Sequence, residues 1–154
     1  MCTAIALPIH DLPLSFIEQH GLRDRMATRD PGAHREIQFH WRHPRPLLPY
    51  FHDNQLCMGQ WGSRDRRSKL PHGGWIRLTE LENVRELRPV EIAVPCLLGL
   101  ERGIWFPVEE GIRAVLLANE RRVPHVYVLT EPASHYFRVM TRSDWMPVMI
   151  GRRI

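Results

Sequence analysis

The sequence predicts a single α+β domain over residues 1–154, with a mainly antiparallel β core and a few short helices. A chain of 154 residues is long enough for one domain whose core needs neither metals nor disulfides. Its thirteen prolines and ten glycines divide it into short elements, which favours strands and loops over a helical bundle. Its second half contains apolar runs separated by turn residues, which is typical of short strands.

The first half of the chain is predicted to contain one helix and one hairpin. A helix is expected over residues 13–20, because a proline opens this segment and a glycine follows it. Residues 22–36 are polar and are expected to form a loop. The segment from Leu47 to Trp61 predicts a β-hairpin with its turn at residues 52–54. The basic stretch from Ser63 to Gly74 is rich in turn residues and predicts an exposed loop.

The second half alternates between apolar runs and polar breaks. In chain order, the pattern predicts a short helix at 79–87, strands at 90–98, 111–117 and 123–130, a helix at 131–140 and a last strand at 146–150. Residues 119–122 are expected to form the turn between the second and third of these strands. The result is a set of short elements that pair with their neighbours in the chain.

The charge of the chain is unevenly distributed. Residues 1–77 hold 11 Lys/Arg and 7 Asp/Glu, whereas residues 78–154 hold 10 of each, so the net charge of +4 lies in the first half. This asymmetry favours a polyanionic partner. The cysteines, Cys2, Cys57 and Cys96, are few and odd in number, so the sequence does not suggest a disulfide framework.

Membrane, export and metal-binding signals are weak. No apolar run approaches the length that a bilayer crossing needs, and residues 1–9 carry no basic segment before their apolar stretch. We therefore expect a cytoplasmic protein without a membrane partner. His40, His43, His52 and Cys57 fall close together but lack the paired spacing of zinc ligands, so we expect neither a metal nor a cofactor.

Cys2 directly follows the initiating methionine. Because cysteine is small, methionine aminopeptidase is expected to remove Met1 and leave Cys2 with a free α-amine. An N-terminal cysteine can condense with an aldehyde through its amine and then close a thiazolidine ring through its thiol. Both groups are partly available near neutral pH, since the amine titrates at ~7.7–8.0 and the thiol at ~8.5. The alternative is that a cysteine occupies position 2 by chance.

Further blocks of sequence accompany Cys2 in the order and spacing of a known family. They are Met1-Cys2-Thr3-Ala4, His43-Pro44-Arg45-Pro46-Leu47, Leu56-Cys57-Met58-Gly59-Gln60-Trp61-Gly62, Val126-Tyr127-Val128-Leu129-Thr130 and Ser143-Asp144-Trp145-Met146-Pro147-Val148. Together they resemble the SRAP family (SOS response-associated peptidase-like proteins). In that family the corresponding signatures are Met-Cys-Gly-Arg, a proline-bearing stretch, Trp-Gly-Leu-Ile-Pro, a strand ending in Leu-Thr-Thr and His-Asp-Arg-Met-Pro-Val.

The resemblance implies an SRAP-like fold and a role in the response to DNA damage. SRAP proteins form a covalent, thiazolidine-type adduct between the N-terminal cysteine and abasic sites in single-stranded DNA, which would assign this reaction to Cys2. Two alternatives remain open. One is a catalytically decayed relative that only binds DNA or a protein, and the other is a thiol autopeptidase, as the family name records. The chain is shorter than most members, and the shortfall lies in its middle.

The chain departs from the family at its proton-transfer residues. Ser143 stands where the family has a histidine, and His135 is the nearest replacement. Phe106 aligns with the family's catalytic glutamate, for which Glu109 or Glu110 could substitute after a local shift. The family's Asn-Ala-Arg-x-Glu motif has no clear copy here; its loose candidates are Asn83, or Arg77 with Glu80.

Two basic stretches flank the predicted hairpin and are the expected DNA contacts. Cationic side chains there would hold phosphates, while aromatic rings would stack on bases. The candidates are Trp41, Arg42, Arg45, Arg64, Arg66, Arg67 and Lys69. Trp61 and Trp75 could also stack, but packing in the core explains them at least as well. The alternative for the basic stretches is a solvated loop.

Overall fold

The computed structural model describes residues 1–151, in which twelve strands accompany two α-helices and three 3-10 helices. The strands are β1 (Ala4–Pro8), β2 (Met26–Ala27), β3 (Glu36–His40), β4 (Leu47–His52), β5 (Gln55–Trp61), β6 (Trp75–Arg77), β7 (Val90–Val94), β8 (Leu98–Glu101), β9 (Ile104–Pro107), β10 (Ile112–Ala118), β11 (Pro124–Pro132) and β12 (Trp145–Pro147). The helices are α1 (Leu14–Gln19), α2 (His135–Thr141) and the 3-10 segments Ile9–Asp11, Arg23–Arg25 and Leu78–Leu87.

A five-stranded antiparallel sheet in the order β2-β3-β1-β8-β9 carries the N-terminal segment. One row across its inner face joins Phe39, Ile5, Gly99 and Phe106, which pair strand by strand. Gly99 is required in this row, because a Cβ atom there would overlap the ring of Phe106. The neighbouring row contains Ala4 on β1 and therefore belongs to the other face of the sheet.

A second sheet closes into a ring of the five strands β7, β4, β5, β11 and β10. The ring closes because β10 pairs with both β7 and β11, while β5 and β11 run parallel. Closure leaves these strands without an open edge. β4 and β5 are joined by Asp53 and Asn54, whose φ angles of 50° and 60° are those of a tight two-residue hairpin turn.

The two sheets share one apolar core. Successive side chains of strand β11 point to opposite faces of the sheet and so enter two different apolar clusters. Val126 and Val128 enter the core cluster that also contains Ile5 of the first sheet. Tyr127 and Leu129 enter a second cluster, which includes residues of the 3-10 helix Leu78–Leu87.

No helix within residues 1–151 combines the length and apolarity that crossing a bilayer would need.

The structure confirms the α+β class with mainly antiparallel pairing. The predicted hairpin from Leu47 to Trp61 is β4–β5, and the helix expected at 13–20 is α1. The strands expected at 111–117 and 123–130 are β10 and β11. The stretch from Ser63 to Gly74 contains no named strand or helix, yet it is anchored, because the hydroxyl of Tyr127 donates to the carbonyl of Pro71 over 2.7 Å.

Several predicted boundaries are wrong. The strand expected at 90–98 is interrupted after Val94, so that β7 and the start of β8 join different sheets. The helix expected from Glu131 begins only at His135, because Glu131 still pairs with β12. The segment at 79–87 is a 3-10 helix, and the last strand is β12 at 145–147. The predicted loop at 22–36 contains the Arg23–Arg25 turn and β2, and no predicted element corresponds to β1, β3, β6 or β9.

Candidate functional site at the N-terminus

The N-terminal segment lies between β3 and β8 and is held there by its backbone. The amide of Thr3 donates to the carbonyl of Leu100 over 2.8 Å, and the carbonyl of Thr3 accepts from the amide of Trp41 over 2.9 Å. The indole nitrogen of Trp75 donates to the carbonyl of Cys2 over 3.0 Å. Cys2 is therefore fixed by bonds on both sides before any ligand binds.

The Cys2 thiol lies behind this segment and is fully buried. Its Sγ donates to the carbonyl of Ala4 over 3.1 Å. Burial raises the pKa of the thiol to about 12, and the carboxylate of Glu101 adds to the rise. Hydrogen bonds with the backbone of Leu100 and Ala4 act in the opposite direction and lower this pKa, but by less. In the chain that retains Met1, Cys2 is consequently a neutral thiol at physiological pH.

Glu101 supplies a buried carboxylate beside the N-terminus. It is the last residue of β8 and is only 1% exposed. Its Oε1 accepts from the α-ammonium of Met1 over 2.6 Å. Its Oε2 is buried and has no hydrogen-bond partner within residues 1–151. A buried charged oxygen without a partner is costly, and such groups are rare except where they have a chemical role.

Met1 and Glu101 line a cavity of about 480 Å³. The α-amine, the Glu101 carboxylate and the His40 imidazole share it with two exposed cationic side chains, Arg42 and Arg102. Cations at the entrance suit an anionic ligand, while the amine and carboxylate suit an electrophile that condenses with nitrogen. The full lining is Met1, Thr3, His40, Arg42, Trp75, Leu100, Glu101, Arg102 and Gly103.

Trp75, which lines the cavity, belongs to a cluster of three tryptophans. The ring centroids of Trp41, Trp61 and Trp75 lie 5.1–5.9 Å apart. Trp61 is completely buried and donates from its indole nitrogen to the carbonyl of Gly74 over 3.1 Å. A Cβ atom on Gly74 would approach that nitrogen to 2.6 Å, so glycine is needed for this packing. Trp61 is a core residue, whereas Trp41 and Trp75 are half-buried.

Two of the predicted DNA-contact arginines, Arg64 and Arg45, donate hydrogen bonds to backbone carbonyls. The Arg64 guanidinium lies 4.6 Å above the Trp41 ring centroid and donates to the carbonyl of Trp41, so it covers the ring. Arg45 donates to the carbonyl of His20 over 3.0 Å. Arg42 is exposed and lines the cavity. The remaining candidates, which are exposed in the loop after β5, are Arg66, Arg67 and Lys69.

The predicted acid–base residues lie outside this cavity. Glu109 and Glu110 line a different cavity of about 220 Å³, together with Cys96. His135 is exposed at the first turn of α2. Ser143 is buried, and its hydroxyl donates to the carbonyl of Trp145 over 3.0 Å.

The remaining residues that were compared with family motifs lie outside the cavity at Met1. Phe106 packs against Phe137 in the core, with ring centroids 5.0 Å apart. The Arg77 guanidinium lies 4.0 Å from the centroid of the Trp145 ring. Asn83 and Glu80 belong to the 3-10 helix that follows β6. None of these residues lines the cavity at Met1.

Sequence reasoning missed Glu101, Arg102 and the position of His40. The sequence does contain a local signal for the positions of Glu101 and Arg102. Arg102 and Gly103, with φ angles of 48° and 80°, form a two-residue turn between β8 and β9, and apolar residues lie on both sides of it. That turn would have placed Glu101 at a strand end, but no local pattern brings it to Met1, one hundred residues away.

No family model matches this sequence, and no curated protein or solved structure matches it either. Within residues 1–151, no group of three or more histidine, cysteine or acidic side chains is arranged to hold a metal ion.

Proposed function

We propose that this protein is a divergent relative of the SRAP family that forms a covalent thiazolidine adduct between Cys2 and abasic sites in single-stranded DNA. The observation that carries the proposal is the contact between the N-terminal ammonium and buried Glu101 at a cavity, with the buried Cys2 thiol on the next residue of the chain. This arrangement brings together an amine, a thiol and a counter-charge, which are the groups that the reaction requires.

Removal of Met1 activates this arrangement. Met1 is half-exposed and lines the cavity, so its loss enlarges the space in front of Cys2. Consecutive Cα atoms are ~3.8 Å apart, which keeps the new α-amine of Cys2 within reach of the Glu101 carboxylate. With Met1 gone, the freed terminus can turn the Cys2 thiol from the core towards water, which reverses the burial that raises its pKa.

The reaction itself is a condensation that releases water. The α-amine of Cys2 attacks the aldehyde carbon of the opened abasic sugar, and the carbonyl oxygen leaves as water to give an iminium ion. Sγ then bonds to the same carbon and closes the five-membered ring. Glu101 orients the ammonium and stabilises the positive iminium nitrogen, because its free Oε2 is already buried at this position.

Single-stranded DNA fits the entrance of the cavity. Arg42 and Arg102 are exposed there and can contact phosphates, while the half-buried ring of Trp75 offers a surface for a base. Arg66, Arg67 and Lys69 extend the positive charge along the adjacent loop. Such contacts make binding weaken as the salt concentration rises.

The test is denaturing electrophoresis of Met1-free protein after incubation with a single-stranded abasic-site oligonucleotide. We expect a DNA-bound band from the wild type and none from Cys2→Ala, since an alanine amine forms a hydrolysable imine but no ring. Cys96→Ala is the matched control, because that thiol is also buried but not N-terminal. Intact mass confirms the loss of Met1. DNA binding without any adduct would instead support a catalytically decayed binding protein.

A further inference from the structure

A chain of hydrogen bonds crosses the outer face of β3 and ends at the cavity. Glu36, Gln38 and His40 alternate along this strand, so their side chains point to the same side. Arg29 Nε donates to Glu36 Oε1 over 2.6 Å, and Gln38 Nε2 donates to Glu36 Oε2 over 3.2 Å. Gln38 Oε1 lies 2.9 Å from His40 Nε2.

The carboxylate of Glu36 sets the direction of every bond in this chain. A carboxylate only accepts, so the nitrogen of the Gln38 amide must face Glu36 and its oxygen must face His40. An amide oxygen also only accepts, so His40 Nε2 carries a proton. In the neutral imidazole the other ring nitrogen, Nδ1, is then unprotonated.

The surroundings of His40 favour this neutral form. Its partial burial lowers its pKa below the ordinary value near 6.5, and the neighbouring charges of His43 and Arg25 lower it further. Arg42 and Arg102 add positive charge at the cavity, where Glu101 is the opposing negative group. The edge of the His40 ring meets Trp105, with centroids 6.4 Å apart, and Trp105 in turn lies under Arg29.

We propose that His40 Nδ1 is the proton-transfer group of the N-terminal site and that Gln38 and Glu36 position it by fixing its tautomer. This inference rests on the proposed adduct chemistry. Nδ1 takes a proton from the Cys2 ammonium, and the freed amine attacks the aldehyde. The proton then passes to the carbinolamine hydroxyl, which departs as water. When Sγ bonds to the iminium carbon, the thiol proton leaves through Nδ1, so that atoms and charges balance.

The chain of bonds explains why a buried ion pair lies on this outer face. Glu36 is 6% exposed and is paired with Arg29, a contact remote from the N-terminus. Such a pair contributes little net stability, because removing its charges from water offsets their attraction. Its role here is to orient other groups. Glu36 fixes the orientation of the Gln38 amide, and this amide fixes the tautomer of His40.

The experiment follows single-turnover adduct formation by Met1-free protein between pH 5 and 9. We expect His40→Ala to slow the reaction by about 10²-fold at neutral pH, since proton transfer typically contributes ~10²–10⁴-fold. Without His40, the acid limb of the pH profile should follow protonation of the Cys2 amine alone and so lie at higher pH than in the wild type. Added imidazole should restore part of the rate. His10→Ala is the matched control, because that exposed histidine does not line the cavity and should leave the rate unchanged.

Gln38→Glu tests the positioning role separately. A carboxylate at position 38 would favour protonated His40, so the acid limb of the pH profile should shift upward while DNA affinity stays unchanged. Nitrogen NMR of the wild type should report the neutral Nε2–H tautomer.

Three results would overturn the inference about His40 while leaving Cys2 chemistry intact. These are a His40→Ala variant with the wild-type rate and pH profile, a slow variant that imidazole does not rescue, and an Nδ1–H tautomer. A wild-type protein that binds DNA without forming an adduct would overturn both proposals.

Discussion

Two hairpins of this protein share one local geometry and differ in what they carry. β4–β5 turns through Asp53 and Asn54, and β8–β9 turns through Arg102 and Gly103, with positive φ at all four residues. The first turn is exposed. The second is preceded by buried Glu101, whose free oxygen lies at the cavity. The same type of turn therefore joins two strands of the ring in one hairpin and follows a buried carboxylate in the other.

The two hairpins differ in whether their polar residues are placed as folding favours. The β4–β5 hairpin forms part of the five-stranded ring, and its polar residues face water. The β8–β9 hairpin keeps a carboxylate out of water, which folding alone does not favour. A residue that folding disfavours is a better guide to the site than one that folding explains.

The largest expected contrast concerns two cysteines, one in the β4–β5 hairpin and one at the N-terminus, where the β8–β9 hairpin supplies Glu101. Cys57 lies half-buried on β5, whereas Cys2 is buried with its pKa raised to about 12. At pH 8 a thiol of that pKa is ionised in only ~10⁻⁴ of molecules. In protein that retains Met1, iodoacetamide should label Cys57 at least ~10³-fold faster than Cys2.

Peptide mass mapping checks this contrast, with Met1-free protein as the comparison. Loss of Met1 should raise the labelling rate of Cys2 sharply, because water then reaches the thiol. Equal labelling of Cys2 in both forms would contradict the idea that Met1 closes the site.

The second contrast concerns the acids of the two hairpins. Glu101→Gln keeps the shape of the side chain but removes the charge that stabilises the iminium nitrogen. We expect adduct formation to slow by about 10²-fold, which is the usual effect of losing one electrostatic contact to a transition state. The matched change Asp53→Asn, at an exposed turn, should leave the rate unchanged. A quench-flow assay on denaturing gels measures both, and equal rates for Glu101→Gln and wild type would remove Glu101 from the mechanism.

The smallest contrast concerns the turns themselves. Gly103 has φ near 80° and open space around a Cβ atom, so Gly103→Ala costs conformational energy alone, about 1–2 kcal/mol. Asn54→Ala should cost less, because Asn54 already carries a side chain in this conformation. Urea denaturation gives both free energies of unfolding. Only Gly103→Ala should also slow adduct formation, by several-fold, since its turn holds Glu101; similar rates for both variants would show that the turn does not set the site.

Local signals predicted the parts of the fold whose geometry a few residues decide. The Asp53–Asn54 turn, the first helix and the paired strands β10–β11 follow from short patterns of apolar and turn residues. The extent of the last helix did not, because Glu131 and Pro132 favour a helix start but pair with β12 instead. Tertiary pairing overrides local preference at such positions.

The sequence by itself determined the class of fold, the uneven charge and the presence of a reactive residue type at position 2. Only the tertiary structure decided which groups surround that residue. Glu101 comes from β8 and His40 from β3, and both meet the N-terminus because β1 pairs with these two strands. Strand pairing joins residues by register rather than by distance along the chain, so no local pattern of residues could reveal this site.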